Sequence, residues 1–278
     1  MSGSPRASIV MPLRTQVDGW LQAAVASALT QTVATEVIVV TSPHTPPSNL
    51  AVLHDAARSG NLITIQRPAG AGFADAINLG FRTASCPRVG LLLTDDWLSP
   101  DAIERCLDHD ADIVGTARQA YAADGIRRLW RASADQARFD RMTSLQERAS
   151  HVGHFFLMKC AAMLQTGGVD PTIGLTGADD YDLVWTMLER GATVRLIPEA
   201  LYHYRDHEGE RLTLRDQAAQ IADLRKILAK HGVGPEETER LVAEKSKWYG
   251  VACQTAIDDP TWYLNRPERR EGADVSAA

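Results

Sequence analysis

Four short apolar runs, at 7–11, 36–40, 62–66 and 89–93, punctuate the first hundred residues. Each is rich in Val, Ile or Leu and has the length of a buried strand. Between them lie segments with helical spacing. The first runs from Gly19 to about Gln31, with Leu21, Ala24, Val25, Ala28 and Leu29 on one stripe, and further helices are expected at 50–58 and 73–84. Such strand–helix alternation buries a sheet best when the helices return the chain in the same direction. It therefore predicts an α/β architecture, a mainly parallel sheet with helices on both faces. In such a sheet ligands bind beyond the carboxyl ends of the strands, so loops 12–16, 41–47 and 94–100 are expected to face one crevice.

The pattern weakens over 118–150, where Arg118, Arg127, Arg128, Arg131, Arg138, Arg141 and Arg148 fall. These read as a solvated face, or as a guide for an anionic acceptor or an anionic membrane surface. Regular structure resumes with a strand at 154–159, a glycine-rich loop at 166–168, a helix at 180–190 and a strand at 193–197. Residues 213–247 read as two helices separated by 231–235, which either pack on the domain or build a homodimer. The last ~12 residues are charged or small and are expected to be disordered.

Composition narrows the function. Hydrophobic residues make up 45% of the chain, enough for a sizeable core. A net charge of -6 speaks against wholesale nucleic-acid binding. Cys86, Cys106, Cys160 and Cys253 form no CxxC pair or zinc-like cluster and read as reduced thiols. No apolar stretch approaches the ~20 residues needed to span a bilayer. The expected location is the cytoplasm, or the periphery of a membrane.

Asp95 and Asp96 end the apolar run 89–93. Two neighbouring carboxylates repel each other unless a cation or hydrogen-bond donors offset the charge, and a hard divalent cation shared with diphosphate oxygens would do so. Asp179, Asp180 and Asp182 stand where a helix begins, a place that suits capping and keeps a carboxylate ionised. Gly70-Ala71-Gly72 is a poor dinucleotide fingerprint: it follows the third strand, and Asp75 stands where a third glycine belongs. Trp20 and Trp185 fall at helical spacing and read as core.

The segment Leu92-Leu93-Thr94-Asp95-Asp96-Trp97-Leu98-Ser99-Pro100 resembles the part of family 2 glycosyltransferases that carries their Asp-x-Asp motif. Other segments agree in order: Ser8-Ile9-Val10-Met11-Pro12, Ala28-Leu29-Thr30-Gln31-Thr32, Gly72-Phe73-Ala74-Asp75-Ala76-Ile77-Asn78-Leu79-Gly80, Gly177-Ala178-Asp179-Asp180-Tyr181-Asp182-Leu183 and Leu201-Tyr202-His203-Tyr204-Arg205. The resemblance covers roughly 7–210. It implies a GT-A-like (Rossmann-like) fold with C-terminal helices added. The expected division is a glycosyltransferase domain over 1–212, with a nucleotide-sugar half at 7–117 and an acceptor half at 118–212, and a helical appendage over 213–278.

The resemblance also implies a reaction: inverting transfer of a sugar from a nucleotide-diphosphate donor to a hydroxyl acceptor, assisted by Mn2+ or Mg2+. Asp180 matches the position of the general base. Asp95, with Asp96 and His203, is expected to hold the metal. Pro12, Leu13, Arg14, Thr41, Ser42, Arg67, Gly72, Asp75, Asn78, Thr94, Asp95, Asp96 and Arg205 are expected around the donor. Trp97, His154 and Asp179 are expected on the acceptor side. Two departures stand out: Leu93 occupies the place of the motif's first aspartate, and Thr41 and Ser42 replace the usual acidic residues after the second strand. A degenerate scaffold that binds a nucleotide or partner without turnover is a second reading, and a nucleotidyltransferase a third.

Overall fold

The computed structural model describes residues 4–58, 60–153, 155–173, 179–207 and 217–246. Its first half follows the alternation in the sequence. β1 (Ala7–Leu13), α1 (Asp18–Leu29), β2 (Thr35–Thr41), α2 (Pro47–Ala57), β3 (Leu62–Gln66), α3 (Phe73–Thr83) and β4 (Arg88–Leu91) succeed one another. β1 pairs in parallel with β2 on one side and β4 on the other, and β2 pairs in parallel with β3. Side chains alternate across this sheet with period two. Ile9, Met11, Val37 and Val39 share a core with Leu21, Ala24, Val25 and Ala28 of α1. Val10, Ile38 and Val40 face the opposite side, against Ala74, Ala76, Ile77 and Phe81 of α3. Gly80 lets α3 lie directly on β1, since a Cβ there would meet Val10 Cγ1 at 2.3 Å.

The second half is mixed rather than mainly parallel. After β5 (Trp97–Leu98) and α4 (Ala102–Leu107) come β6 (Ile113–Tyr121), β7 (Arg128–Ala132), α5 (Gln136–Arg141), α6 (Leu145–His151), β8 (Phe156–Lys159), α7 (Cys160–Gln165), α8 (Asp179–Glu189) and β9 (Val194–Arg205). The sheet runs β3-β2-β1-β4-β8-β6-β9-β5, with β7 beside β6. β8 is antiparallel to both β4 and β6, while β6 and β9 are parallel. The arginine-rich stretch thus contains a tight hairpin, β6–β7, whose short turn permits only antiparallel pairing.

β9 is longer than the sequence suggests. The expected strand ends at residue 197, yet β9 runs through: Thr116 pairs with Ile197 and Ala117 with Ala200, so residues 198 and 199 form a bulge. A proline, which cannot donate to a ladder, is tolerated there.

The C-terminal helices α9 (Gln217–Lys230) and α10 (Pro235–Lys245) pack on their own chain. Leu224, Ile227, Leu228, Leu241 and Val242 join the core that holds Val184, Met187 and Leu188 of α8. Asp182 anchors them: its Oδ2 lies 2.7 Å from Lys230 Nζ and its Oδ1 3.0 Å from His231 Nε2. The His231 ring stacks on Trp185 with centroids 4.2 Å apart.

Candidate active site

The strand order reverses between β1 and β4, and the turn after β4 sits at that switch point, where open α/β sheets bind ligands. The Asp96 amide donates to Leu93 O at 3.2 Å and tightens the turn. β5 then pairs antiparallel with β9, Trp97 opposite His203 and Leu98 opposite Tyr202, which lays the end of the closing strand against the acidic turn.

Asp95 and Asp96 face opposite ways. Asp96 is buried, and accepts from the Tyr202 hydroxyl and, at 2.6 Å, from the Arg205 amide. Burial, with Asp95 beside it, pushes its carboxyl well above the usual range, against the pull of those hydrogen bonds and of Arg118. Both oxygens are engaged in holding β9. The Asp95 side chain keeps 22% exposure, and its Oδ2 lies 3.1 Å from His207 Nε2.

His203, expected on a metal, faces Ser99 and Trp97. Its Nε2 lies 2.8 Å from Ser99 Oγ, and its ring stacks on Trp97 at 5.3 Å. Burial, helped by the charge of Arg128, lowers its pKa to about 4, so it is neutral near pH 7. Trp97 also lies 5.0 Å from the Tyr121 ring. Arg205, expected on the diphosphate, donates from Nε to Asp95 O at 3.0 Å and from Nη1 to Ala123 O at 2.8 Å.

The donor-side candidates lie at the ends of β1 and β2, in the loops after β2, β3 and β4, and in α3. Pro12 and Leu13 end β1 and are buried, whereas Arg14 is exposed. Thr41 Oγ1 donates to Ile65 O, and Ser42 Oγ accepts from the His44 amide, so both hydroxyls shape the loop. Arg67 Nη1 donates to Gly72 O at 3.2 Å, and Asp75 Oδ2 accepts from the Gly72 amide at 2.6 Å, capping α3. Asn78 points into the glycine-rich loop, bonding Val169 O and the Val169 amide. Gln16, not singled out from sequence, reaches Thr94 Oγ1 at 3.4 Å and is held through its backbone by Asn49.

Asp180 lies in the first turn of α8, with Asp179 before it. Its Oδ1 accepts from the Tyr181 amide at 2.8 Å. The residue keeps partial exposure, but protein encloses the carboxyl group. That desolvation pushes its pKa up to about 6, against the opposing charges of Arg118 and Lys245. The Arg118 charge acts on Asp96 as well. His154 lies outside the described residues.

Among the described residues no group of three or more His, Cys, Asp and Glu side chains converges on a metal position. Asp95 and His207 offer a carboxylate and an imidazole nitrogen. That pair fits a divalent ion whose remaining positions go to phosphate oxygens and water. The sequence signal for His207 is slight: it lies two residues beyond Arg205, at the strand's period, just past the end of β9.

A family model described as "Glycosyltransferase like family 2" matches residues 5–249. The chain is 27% identical over 281 residues to the O-antigen biosynthesis protein RfbC of Myxococcus xanthus, covering 96% of this chain and 21% of that protein. It is 27% identical over 192 residues to the chondroitin synthase of Pasteurella multocida, covering 67% of this chain and 19% of that one. It thus spans about a fifth of the length of the curated relatives it matches. The structure of S. aureus TarS 1–349 in complex with UDP-GlcNAc is similar, with TM-score 0.63 and 14% identity, over 95% of this chain and 78% of that one. So is the mannosyltransferase PcManGT of Pyrobaculum calidifontis in complex with GDP-Man and Mn2+, with TM-score 0.63 and 15% identity, over 97% and 79%. At such identities the likeness speaks for the fold alone.

Proposed function

The chain belongs to the glycosyltransferase-like family 2, and from that premise we propose that it transfers a sugar from a nucleotide-diphosphate donor to a hydroxyl acceptor with inversion. The observation that carries the reading is the pairing of Asp95 with His207 at the switch point of the sheet. The donor complexes of TarS and PcManGT support a nucleotide sugar as donor. RfbC and the chondroitin synthase support a saccharide hydroxyl as acceptor.

Asp95 and His207 would hold Mn2+ or Mg2+, which when bound neutralises charge developing on the leaving diphosphate. Pro12, Leu13, Arg14, Thr41, Ser42, Arg67, Gly72 and Asp75 would surround the nucleotide, with Gln16 fixing Thr94 at the rim. Asp180 would take the proton from the acceptor hydroxyl as it attacks the anomeric carbon. A pKa of about 6 suits that task, because the carboxylate is ionised at neutral pH yet remains a better base than an exposed aspartate. Trp97, His154 and Asp179 belong to the acceptor side in this reading. No helix among the described residues is long and apolar enough to cross a membrane, and we place the protein in the cytoplasm or at the edge of a membrane.

A panel of nucleotide sugars tests this, with donor hydrolysis and binding measured with and without Mn2+. Metal-stimulated hydrolysis of one donor is expected. Absence of both hydrolysis and binding across the panel would sink the reading.

A further inference from the structure

Arg205 is 6% exposed, although its guanidinium stands beside a surface-facing turn. The group lies between two indole rings, 4.9 Å from the centroid of Trp20 and 4.9 Å from that of Trp97. Cation–π attraction to the two rings offsets part of the cost of taking the charge out of water. The rings come from distant segments, Trp20 from α1 and Trp97 from β5.

The N–H groups join two further segments. Nε holds the carbonyl of Asp95, in the donor half, and Nη1 holds the carbonyl of Ala123, in the hairpin turn of the acceptor half. That turn is closed by the Gly125 amide on Ala122 O. It needs glycine twice over: Gly125 has φ 71, and a Cβ there would lie 2.7 Å from Arg205 Nη1. The remaining contact of the stack reaches the metal-side pair, because Trp20 packs against His207 with ring centroids 4.7 Å apart.

We propose that Arg205 is a positioning residue: clamped between Trp20 and Trp97, it sets the Asp95 main chain directly and the His207 ring through Trp20, and so fixes the spacing of the Asp95–His207 pair. The inference rests on the sugar-transfer reading for its purpose, but not for its test. A planar, bidentate cation is required, which lysine cannot replace.

Arg205→Ala leaves a slot of guanidinium shape between two indoles. Binding of Mn2+ alone, followed by the paramagnetic resonance of the free ion, is expected to weaken about tenfold or more in this variant, the range seen when outer-shell partners of metal ligands are lost. Millimolar guanidinium, against sodium chloride of equal ionic strength, is expected to restore much of that affinity and to change tryptophan fluorescence saturably. Arg205→Lys is expected to remain impaired. A folded Arg205→Ala that binds Mn2+ like the wild type, or that ignores guanidinium, overturns the inference, as does a wild type that binds no Mn2+. If Arg205→Ala does not fold, Trp20→Leu serves: weakened Mn2+ binding at an unchanged melting temperature supports positioning, and unchanged binding overturns it. Mn2+ binding without affinity for any nucleotide sugar would remove the sugar-transfer reading while leaving this one measurable.

Discussion

The Oδ2 of Asp95 and the Nε2 of His207 lie 3.1 Å apart, which closes the chain just past β9 onto the turn after β4. The adjacent carboxylate, Asp96, is buried behind it in hydrogen bonds to Tyr202 and Arg205. The acidic doublet is therefore divided, with Asp95 partly exposed and Asp96 in the core.

Removing either member of the Asp95–His207 pair is expected to abolish metal-dependent donor binding without unfolding the protein. Asp95→Ala and His207→Ala should both show it in titration calorimetry with Mn2+ and a nucleoside diphosphate. An unchanged Mn2+ dependence in His207→Ala would remove the imidazole from the site.

Asp96→Asn should behave in the opposite way. The folded carboxyl of Asp96 has a pKa raised above its unfolded value. Its contribution to stability is then fully present below the unfolded value and is lost as pH rises through the folded one. Asparagine cannot ionise, yet its oxygen can still accept from the Arg205 amide. The variant is expected to melt no lower than the wild type at pH 8 and to keep donor binding. Asp96→Ala, which leaves buried donors unmet, should lose about 1–3 kcal/mol. A large loss of donor affinity in Asp96→Asn would show that this carboxylate serves the ligand after all.

In the proposed transfer Asp180 is expected to set the acid limb of the pH profile. With a pKa of about 6, the fraction able to accept a proton rises through that pH. kcat/KM is expected to fall tenfold per pH unit well below about 6, instead of near 4 as for an exposed aspartate. Asp180→Asn should retain donor binding and lose transfer. Full activity in that variant removes Asp180 from the mechanism.

The C-terminal helices are expected to be structurally indispensable. Asp182, with 2% of its side chain exposed, holds Lys230 and the 1%-exposed His231 side chain. Asp182→Ala strands part of that charge. Because Lys230 is partly in water, the cost is about 2–3 kcal/mol, or roughly 5–10 °C in Tm. A chain ending before α9 would expose the surface that Leu224, Ile227 and Leu228 cover, and should lose its cooperative melting transition. A sharp, unshifted melt would show that the helices are dispensable.

Much of this was legible in the residues. The helical stripe of Leu21, Ala24, Val25 and Ala28 is buried as its spacing predicts. The expected strand at 62–66 matches β3. The strand expected at 193–197 is in fact continuous to Arg205, because pairing with β6 absorbs residues 198 and 199 in a bulge. His203 drew attention through its place in a familiar order, whereas His207, just past the end of β9, gives only a slight signal. Nor does the sequence say that the Arg118 charge acts on both Asp96 and Asp180.

The sequence by itself determined the elements of the first half, their parallel order and the placement of an acidic turn at the crevice. Those follow from periodicities of two and 3.6 residues that act over a few positions at a time. Tertiary structure alone decided the antiparallel β8, which aspartate turns outward, and which histidine meets it. The contact of Tyr202 with Asp96 spans 106 residues. Such contacts depend on which strands pair and which groups are driven from water, and no local pattern encodes that choice.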